Sequence, residues 1–290
     1  LLRRKHSRRN TKKNMKNILL LDAYNLIYRA RYSGMNKGDN STIFNFFRGI
    51  RPLVEKFNPD ITYFVLEGRP KKRLEASPDY KGQRVYTDHD GFNRQRKEII
   101  SIVKKYFPFI VVKHDDFECD DIINHIAEKN HKDDNVTIIS SDTDFIQTIT
   151  KNIKLYSPVQ KKYLESTDYD YVSWKSLVGD KSDNIEGFKG IGDKKAKKLL
   201  SDNTLLEAFL LKENNSVIYK HNMFMIKFHE LDENEITNIK LSSLTNPPDW
   251  SKLKDIFVSY DFNSMTKKEK TWNNFINTFN NLERNMTYVS

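Results

Sequence analysis

The chain has 290 residues, 38% of them hydrophobic, with 18 Phe and 14 Tyr, which allows one large or two modest folded domains and excludes a disordered polymer. No apolar run approaches the ~18 residues needed to span a bilayer, no N-terminal segment reads as a secretory signal, and a single cysteine, Cys119, excludes an internal disulfide, so a soluble protein of a reducing cytoplasm (a host's, if a phage encodes it) is expected. The formal charge of +10 is concentrated in residues 1–17, which hold eight of the 49 basic residues and no acid; the rest is close to balanced, so it can bind nucleic acid only through segregated patches.

In chain order, residues 1–16 come first, as a basic tail expected to be disordered. Three readings stay open for it: an expression leader or upstream extension, an arm that touches DNA, or a remnant transit peptide. Strand candidates follow at Ile18–Asp22, Ile61–Leu66, Phe109–Val112, Val136–Ser140 and Ile153–Tyr156. Between the first two, Thr42–Phe57 places Ile43, Phe46, Phe47, Ile50, Leu53, Val54 and Phe57 at helical spacing. Cys119–Lys129 follows an acidic start, which favours a helix N-terminus. Strands alternating with helices predict an α/β core over residues 17–170, with a mainly parallel central sheet flanked by helices. Past about residue 170 the strand signal stops, and residues 171–290 read as a helical region with segments at Tyr171–Val178, Lys194–Leu200, Thr204–Leu211 and Thr271–Leu282.

Acids recur where the strands end. Asp22 closes the first and Glu67 the second; Glu118, Asp120 and Asp121 follow the third; Asp142 and Asp144 follow the fourth; Asp180 and Asp183 lie in the loop GDKSDN (179–184). The carboxyl ends of parallel strands line one crevice, so nine carboxylates are expected to converge. A single Asp at a strand end is commonly a helix cap. Four strand ends and a loop all carrying acids need more than caps, because clustered like charges repel unless protons or cations neutralise them. Hard divalent cations fit an all-oxygen donor set. Cys119 and the seven His form no zinc pattern, and Cys119 is read as a small buried side chain beside the ligands.

Five segments carry a resemblance: LLLDAYNLIYRA (19–30), RLEASPDYKGQR (73–84), FECDDIINHIAEK (117–129), IISSDTDFIQTI (138–149) and VGDKSDNIEGFKGIGDKKAKKLL (178–200). In this order, over residues 18–200, the chain resembles the 5′ nuclease or flap endonuclease family, especially stand-alone bacteriophage 5′-exonucleases and the 5′-nuclease domain of bacterial DNA polymerase I. The resemblance implies a PIN-like nuclease fold and two Mg²⁺ ions, for which Mn²⁺ can substitute. Asp22, Glu67, Glu118 and Asp120 would hold one ion; Asp142, Asp144, Asp180 and Asp183 would hold the other, with Asp121 outside them. Two departures stand out: Glu67 replaces the family's usual Asp, with the segment to Arg73 one residue short, and Cys119 replaces Ala.

The resemblance also assigns basic residues. Lys81 and Arg84 match the pair at the base of a helical arch, where they would hold the scissile phosphate and offset transition-state charge. Arg73 is placed on the DNA side, and Tyr80 is expected either to stack on an unpaired base or to pack. The arch and its return helix would span about residues 80–107, with Arg94, Arg96 and Lys97 facing a 5′ single strand. A helix-hairpin motif near residues 185–200 would use Gly190, Gly192, Lys194, Lys195, Lys197 and Lys198 to bind duplex phosphates, and backbone carbonyls to bind K⁺.

The resulting expectation is hydrolysis of DNA with a free 5′ end, flap or branch, or of an RNA primer–DNA hybrid, by a monomer acting in replication or primer removal. A PIN-type ribonuclease is the enzymatic alternative. A DNA-binding protein with a vestigial site is the non-enzymatic one. No Walker A sequence is present, so ATP use is not indicated.

Overall fold

A computed structural model describes residues 15–34, 38–84, 91–212, 214–280 and 282. Most of the basic tail, residues 85–90 of the expected arch and the last residues lie outside the described set. The strands are β1 (Asn17–Asp22), β2 (Ile61–Leu66), β3 (Ile110–Lys113), β4 (Asn135–Ile139), β5 (Ile153–Ser157), β6 (Lys162–Leu164), β7 (Gly179–Asp180), β8 (Ile185–Glu186) and β9 (Lys240–Ser242). The first five match the expected strands to within one residue at each end. Seven strands form one sheet in the order β6-β5-β4-β1-β2-β3-β9, and β7 and β8 form a separate hairpin.

The five central strands are parallel, while β6 and β9 pair antiparallel at the two edges. Parallel strands are covered on both faces, which explains the near-continuous apolar runs NILLLD and ITYFVL. Alternate residues serve opposite cores. Leu19, Leu21, Phe64 and Leu66 join one cluster, and Ile18, Leu20, Tyr63 and Val65 join the other.

The helices are α1 (Ala23–Arg31), α2 (Ser41–Phe57), α3 (Lys71–Ala76), α4 (Phe92–Tyr106), α5 (Cys119–His125), α6 (Tyr171–Val178), α7 (Asp193–Leu200), α8 (Asn203–Leu210), α9 (Asn215–Ile226), α10 (Glu233–Thr237), α11 (Trp250–Ser259), α12 (Asn263–Thr266) and α13 (Glu269–Asn277). The helix expected to run from Cys119 to Lys129 ends at His125 and continues as a π-helical turn, Ile126–Asn130. At the start of α2, the side chain of Gln95 on α4 accepts the Thr42 and Ile43 amides at 2.8 and 3.4 Å. It caps the orphan donors that the local sequence does not cap.

Beyond residue 170 the structure adds three short strands to the helices expected there. The edge strand β9 pairs with β3, and residues of α11, α12 and α13 (Leu253, Phe257, Met265, Trp272 and Phe275) complete the same apolar core as α2 and α4. Three-residue strands carry no readable periodicity, and β9 exists because the exposed edge of β3 accepts it.

The strand order places the site. The chain runs outward from β1 to β2 and β3, then returns to the other side of β1 as β4. Ligands of open α/β sheets bind at such a reversal, outside the carboxyl ends of the strands. Asp22 is the last residue of β1, at that point.

Candidate metal and nucleic-acid site

Eight carboxylates, those of Asp22, Glu67, Glu118, Asp120, Asp142, Asp144, Asp180 and Asp183, line one cavity of about 1000 Å³, and Lys81 and Arg84 line it with them. The backbone fixes several of these acids. Asp22 caps α1 by accepting the Asn25 amide at 3.0 Å and also accepts the Ser140 hydroxyl at 2.8 Å. Asp142 caps the 3₁₀ turn Thr143–Thr148. Asp180 caps the turn Lys181–Asp183 by accepting the Ser182 amide. The capping role therefore coexists with convergence on the cavity.

Two groups of candidate ligand atoms emerge. Asp22, Cys119 and Asp120 bring theirs within 4.8 Å of one another, as do Asp144, Asp180 and Asp183. The first group is poor in countercharge: among the described residues, no ion pair reaches Asp22, Glu67, Asp120 or Asp142, and Lys81 acts on Glu67 and Asp120 without pairing with either. Burial, reinforced by repulsion from Asp142, pushes Asp22 up to about 6 against the bonds from Asn25 and Ser140. Burial and the neighbouring Glu118 push Glu67 up to about 7. Burial, then Asp142 and Asp22, hold Asp120 well above the usual carboxylate range. Asp142 thus acts electrostatically on the first group as well as on Asp144. A donor set of carboxylate oxygens, short of positive charge and partly desolvated, fits hard divalent cations.

The second group has a cation of its own. Lys175 on α6 pairs with Asp144 and lies 2.6 Å from Asp180. Burial works to lower the Lys175 ammonium, but Asp144, Tyr171 and Asp180 together outweigh it and drive it up. Asp180 would rise by burial, yet hydrogen bonds from Lys175 and Ser182 hold it below its ordinary value. Sequence reasoning missed Lys175. Its signal is a lone basic residue on the buried side of a helix that ends at the acidic loop.

The basic loop after α3 is stitched to the acidic loop after β7. Lys81 donates its backbone amide to Asp183 O at 3.1 Å, Gln83 reaches Lys181 O at 2.6 Å, and Arg84 binds the Asp183 carboxylate at 2.5 Å. Lys81 adopts φ +57°, a left-handed conformation that a non-glycine residue takes only when its surroundings enforce it. Its ammonium pairs with Glu118 and lies 3.7 Å from Asp183.

The expected place of Arg73 needs correction, the two readings of Tyr80 resolve to one, and of the nine acids expected to converge Asp121 does not. Arg73, expected on the DNA side, is 3% exposed, and its guanidinium is committed to protein acceptors. Tyr80 is buried, with its hydroxyl shared between Glu118 at 3.1 Å and Asp183 at 3.0 Å, so its ring packs and is not free to stack on a base. Asp121 is 1% exposed, turned from the cavity and paired with Arg73, so it offers no oxygen to an ion there.

The remaining basic candidates lie on the surface. Arg94 binds the Asp39 carbonyl and the Asn40 side chain. Arg96 lines the cavity with its guanidinium 5.3 Å from the Tyr24 ring centre, and Lys97 is exposed. At the β7–β8 hairpin, Gly179 and Gly187 must be glycine, because a Cβ on Gly179 would meet Gly187 N at 2.3 Å and one on Gly187 would meet Val178 O at 2.1 Å. Gly190 has φ +77°, and Gly192 caps α7. Lys194, Lys195, Lys197 and Lys198 are exposed on α7, with Lys197 held 2.9 Å from Asp193.

Comparison with known proteins places this chain among relatives. Residues 17–176 match the family model of the 5′-3′ exonuclease N-terminal resolvase-like domain. A 5′-3′ exonuclease of Mycoplasmopsis pulmonis is 29% identical over 205 residues, 65% of this chain and 67% of that protein. DNA polymerase I of Borreliella burgdorferi is 29% identical over 238 residues, which is 74% of this chain but 26% of that protein. A flap endonuclease of bacteriophage T5, solved with DNA and metal ions, shares the fold with a TM-score of 0.61 at 20% identity, over 73% of this chain and 89% of that one.

Proposed function

The chain belongs to the 5′-3′ exonuclease family, and from that premise we propose that it is a structure-specific 5′ nuclease that hydrolyses DNA near a free 5′ end, flap or branch with two Mg²⁺ ions. The observation that carries this reading is the set of four carboxylates, Asp22, Glu67, Asp120 and Asp142, gathered in one cavity with no ion-pair partner among the described residues. Asp22, Asp120 and Glu67 would hold one ion, joined by Glu118 once Lys81 yields. Asp144, Asp180 and Asp183 would hold the other, with Asp142 between the groups. When bound, the two ions would activate water and offset charge on the leaving oxygen.

The chain's own residues do the rest. Lys81 and Arg84 would turn from Glu118 and Asp183 to the scissile phosphate, their carboxylate partners passing to the cations. The exposed lysines of α7 and the amides after Gly190 would hold the duplex phosphates, with K⁺ at the hairpin carbonyls. Arg94, Arg96 and Lys97 would face the 5′ strand. No described helix is long and apolar enough to cross a membrane; we place the protein in the cytoplasm, working as a monomer in replication or primer removal.

The test is digestion of a 5′-labelled flap, with an RNA-primed duplex and single-stranded RNA for comparison, by the intact chain and by Asp22→Asn and Asp183→Asn. Cleavage near the junction with Mg²⁺, none in EDTA, and loss of turnover with retained flap binding in both variants are expected. Preference for single-stranded RNA would replace the reading with a ribonuclease. Flap binding without cleavage in any divalent metal would reduce it to a DNA-binding protein.

A further inference from the structure

We infer that Arg73 is a positioning residue that sets the spacing between the two cation-holding groups. This rests on the two-metal reading of the site. A guanidinium has five N–H donors, and all five are used. Nε donates to Met225 O at 2.9 Å, Nη1 to Glu118 Oε2 at 2.8 Å and Asp121 Oδ2 at 2.7 Å, and Nη2 to Asp121 Oδ1 at 2.9 Å and Lys227 O at 3.1 Å. Nothing remains for a phosphate.

The acceptors lie on two different bodies. Glu118 and Asp121 flank Asp120 at the start of α5, so they belong with the first group of acids. Met225 and Lys227 lie at the end of α9, where a cation also meets the negative end of the helix. That helix is tied to α6 and to the hairpin of the second group: Asn222 donates to Ser176 O at 2.9 Å and to Glu186 O at 2.8 Å. From α6, Lys175 and the Tyr171 hydroxyl hold Asp144, and Lys175 also holds Asp180. Arg73 therefore joins the block that carries Asp180, and that braces Asp144 from α6, to the block that carries Asp120. The His229 amide, donating to Asp121 Oδ1 at 2.8 Å, closes the same joint.

A planar fork buried against a carboxylate fixes orientation as well as charge, and an ammonium cannot reproduce both bidentate bonds. Residues that orient metal ligands typically change metal affinity or activity by about 10–100-fold when mutated. Arg73→Lys keeps the charge and loses the fork. Asp121→Asn keeps Arg73 and loses half of the pair.

For both variants, direct Mn²⁺ titration of the DNA-free protein is combined with the Mg²⁺ dependence of single-turnover flap cleavage, flap affinity in Ca²⁺ and thermal melting. The expected result is Mn²⁺ affinity weakened by about tenfold or more, a rate deficit partly recovered at high Mg²⁺, and flap affinity within about twofold of the parent. Mn²⁺ affinity and Mg²⁺ dependence equal to the parent in both variants would reduce Arg73 to an inert buried pair. Flap affinity falling as far as the rate would make it a DNA contact after all. If the parent cleaves nothing, the nuclease reading fails, while the Mn²⁺ titration still decides the role of Arg73.

Discussion

The Lys175 ammonium lies 2.6 Å from the Asp180 carboxylate and pairs with Asp144 on its other side, so an internal cation occupies the heart of the second acidic group. Removing one member of a buried pair leaves uncompensated charge and typically costs about 3–5 kcal/mol. Lys175→Met is therefore expected to lose about 3 kcal/mol of stability in EDTA. The deficit should shrink with Mg²⁺, because a divalent cation can take over the neutralisation. Denaturant melts with and without Mg²⁺ check this, and a parent-like midpoint in EDTA would show that the pair contributes nothing.

Lys81 makes a separate claim on rate. Its ammonium faces Glu118 and Asp183 from a backbone position held at φ +57°. A cation placed where negative charge develops stabilises the transition state more than the ground state. Lys81→Ala is expected to slow single-turnover cleavage by about 10²–10³-fold, by analogy with loss of one oxyanion donor. Affinity in Ca²⁺ should change less, since other groups still hold the phosphates. Equal losses in affinity and rate would make Lys81 a uniform phosphate anchor.

The α7 lysines are expected to differ among themselves. Lys194 and Lys195 are exposed, whereas Lys197 is held by Asp193. Removing a lysine that neutralises one phosphate lowers the slope of log K against log salt by about 0.9. Lys194→Ala combined with Lys195→Ala should lower the slope by about 1.8 and leave the saturated single-turnover rate nearly unchanged. Lys197→Ala should change it less. Fluorescence anisotropy across a salt series provides the measurement, and an unaltered slope in the double variant would remove α7 from the DNA interface.

The acids of the first group predict a pH dependence for the metal-free protein. Asp22 is raised to about 6 and Glu67 to about 7, chiefly by burial. Unfolded carboxyls titrate near pH 4. Between that value and about 7 the folded chain holds more protons than the unfolded one, so stability falls as pH rises through this window. In EDTA the melting temperature should be higher at about pH 5.5 than at about pH 8, and Asp22→Asn with Glu67→Gln should flatten the difference. Mg²⁺ should restore stability at the higher pH. A parent protein in EDTA that melts higher at the alkaline end would contradict this distribution of charge.

The sequence by itself determined the five central strands and the positions of the acids. Apolar runs such as ILLLD and ITYFVL leave a buried strand as the simplest reading, and an acid at a strand's end stays there however the helices pack. Which partner each polar group takes was decided only by the tertiary structure. The guanidinium of Arg73 meets acceptors 45 to 154 residues away, and Tyr80 meets Asp183 across 103. In sequence, a basic or aromatic residue beside a basic loop reads the same whether it faces DNA or the interior. Burial separates the two: inside, every donor must find a protein acceptor, and the topology decides which acceptors come within reach. Lys175 illustrates the converse case. Its helix was legible from residue spacing, but the turn of chain that carries Asp144 beneath it comes from β4, and only the packing of α6 against that turn makes the lysine a counterion.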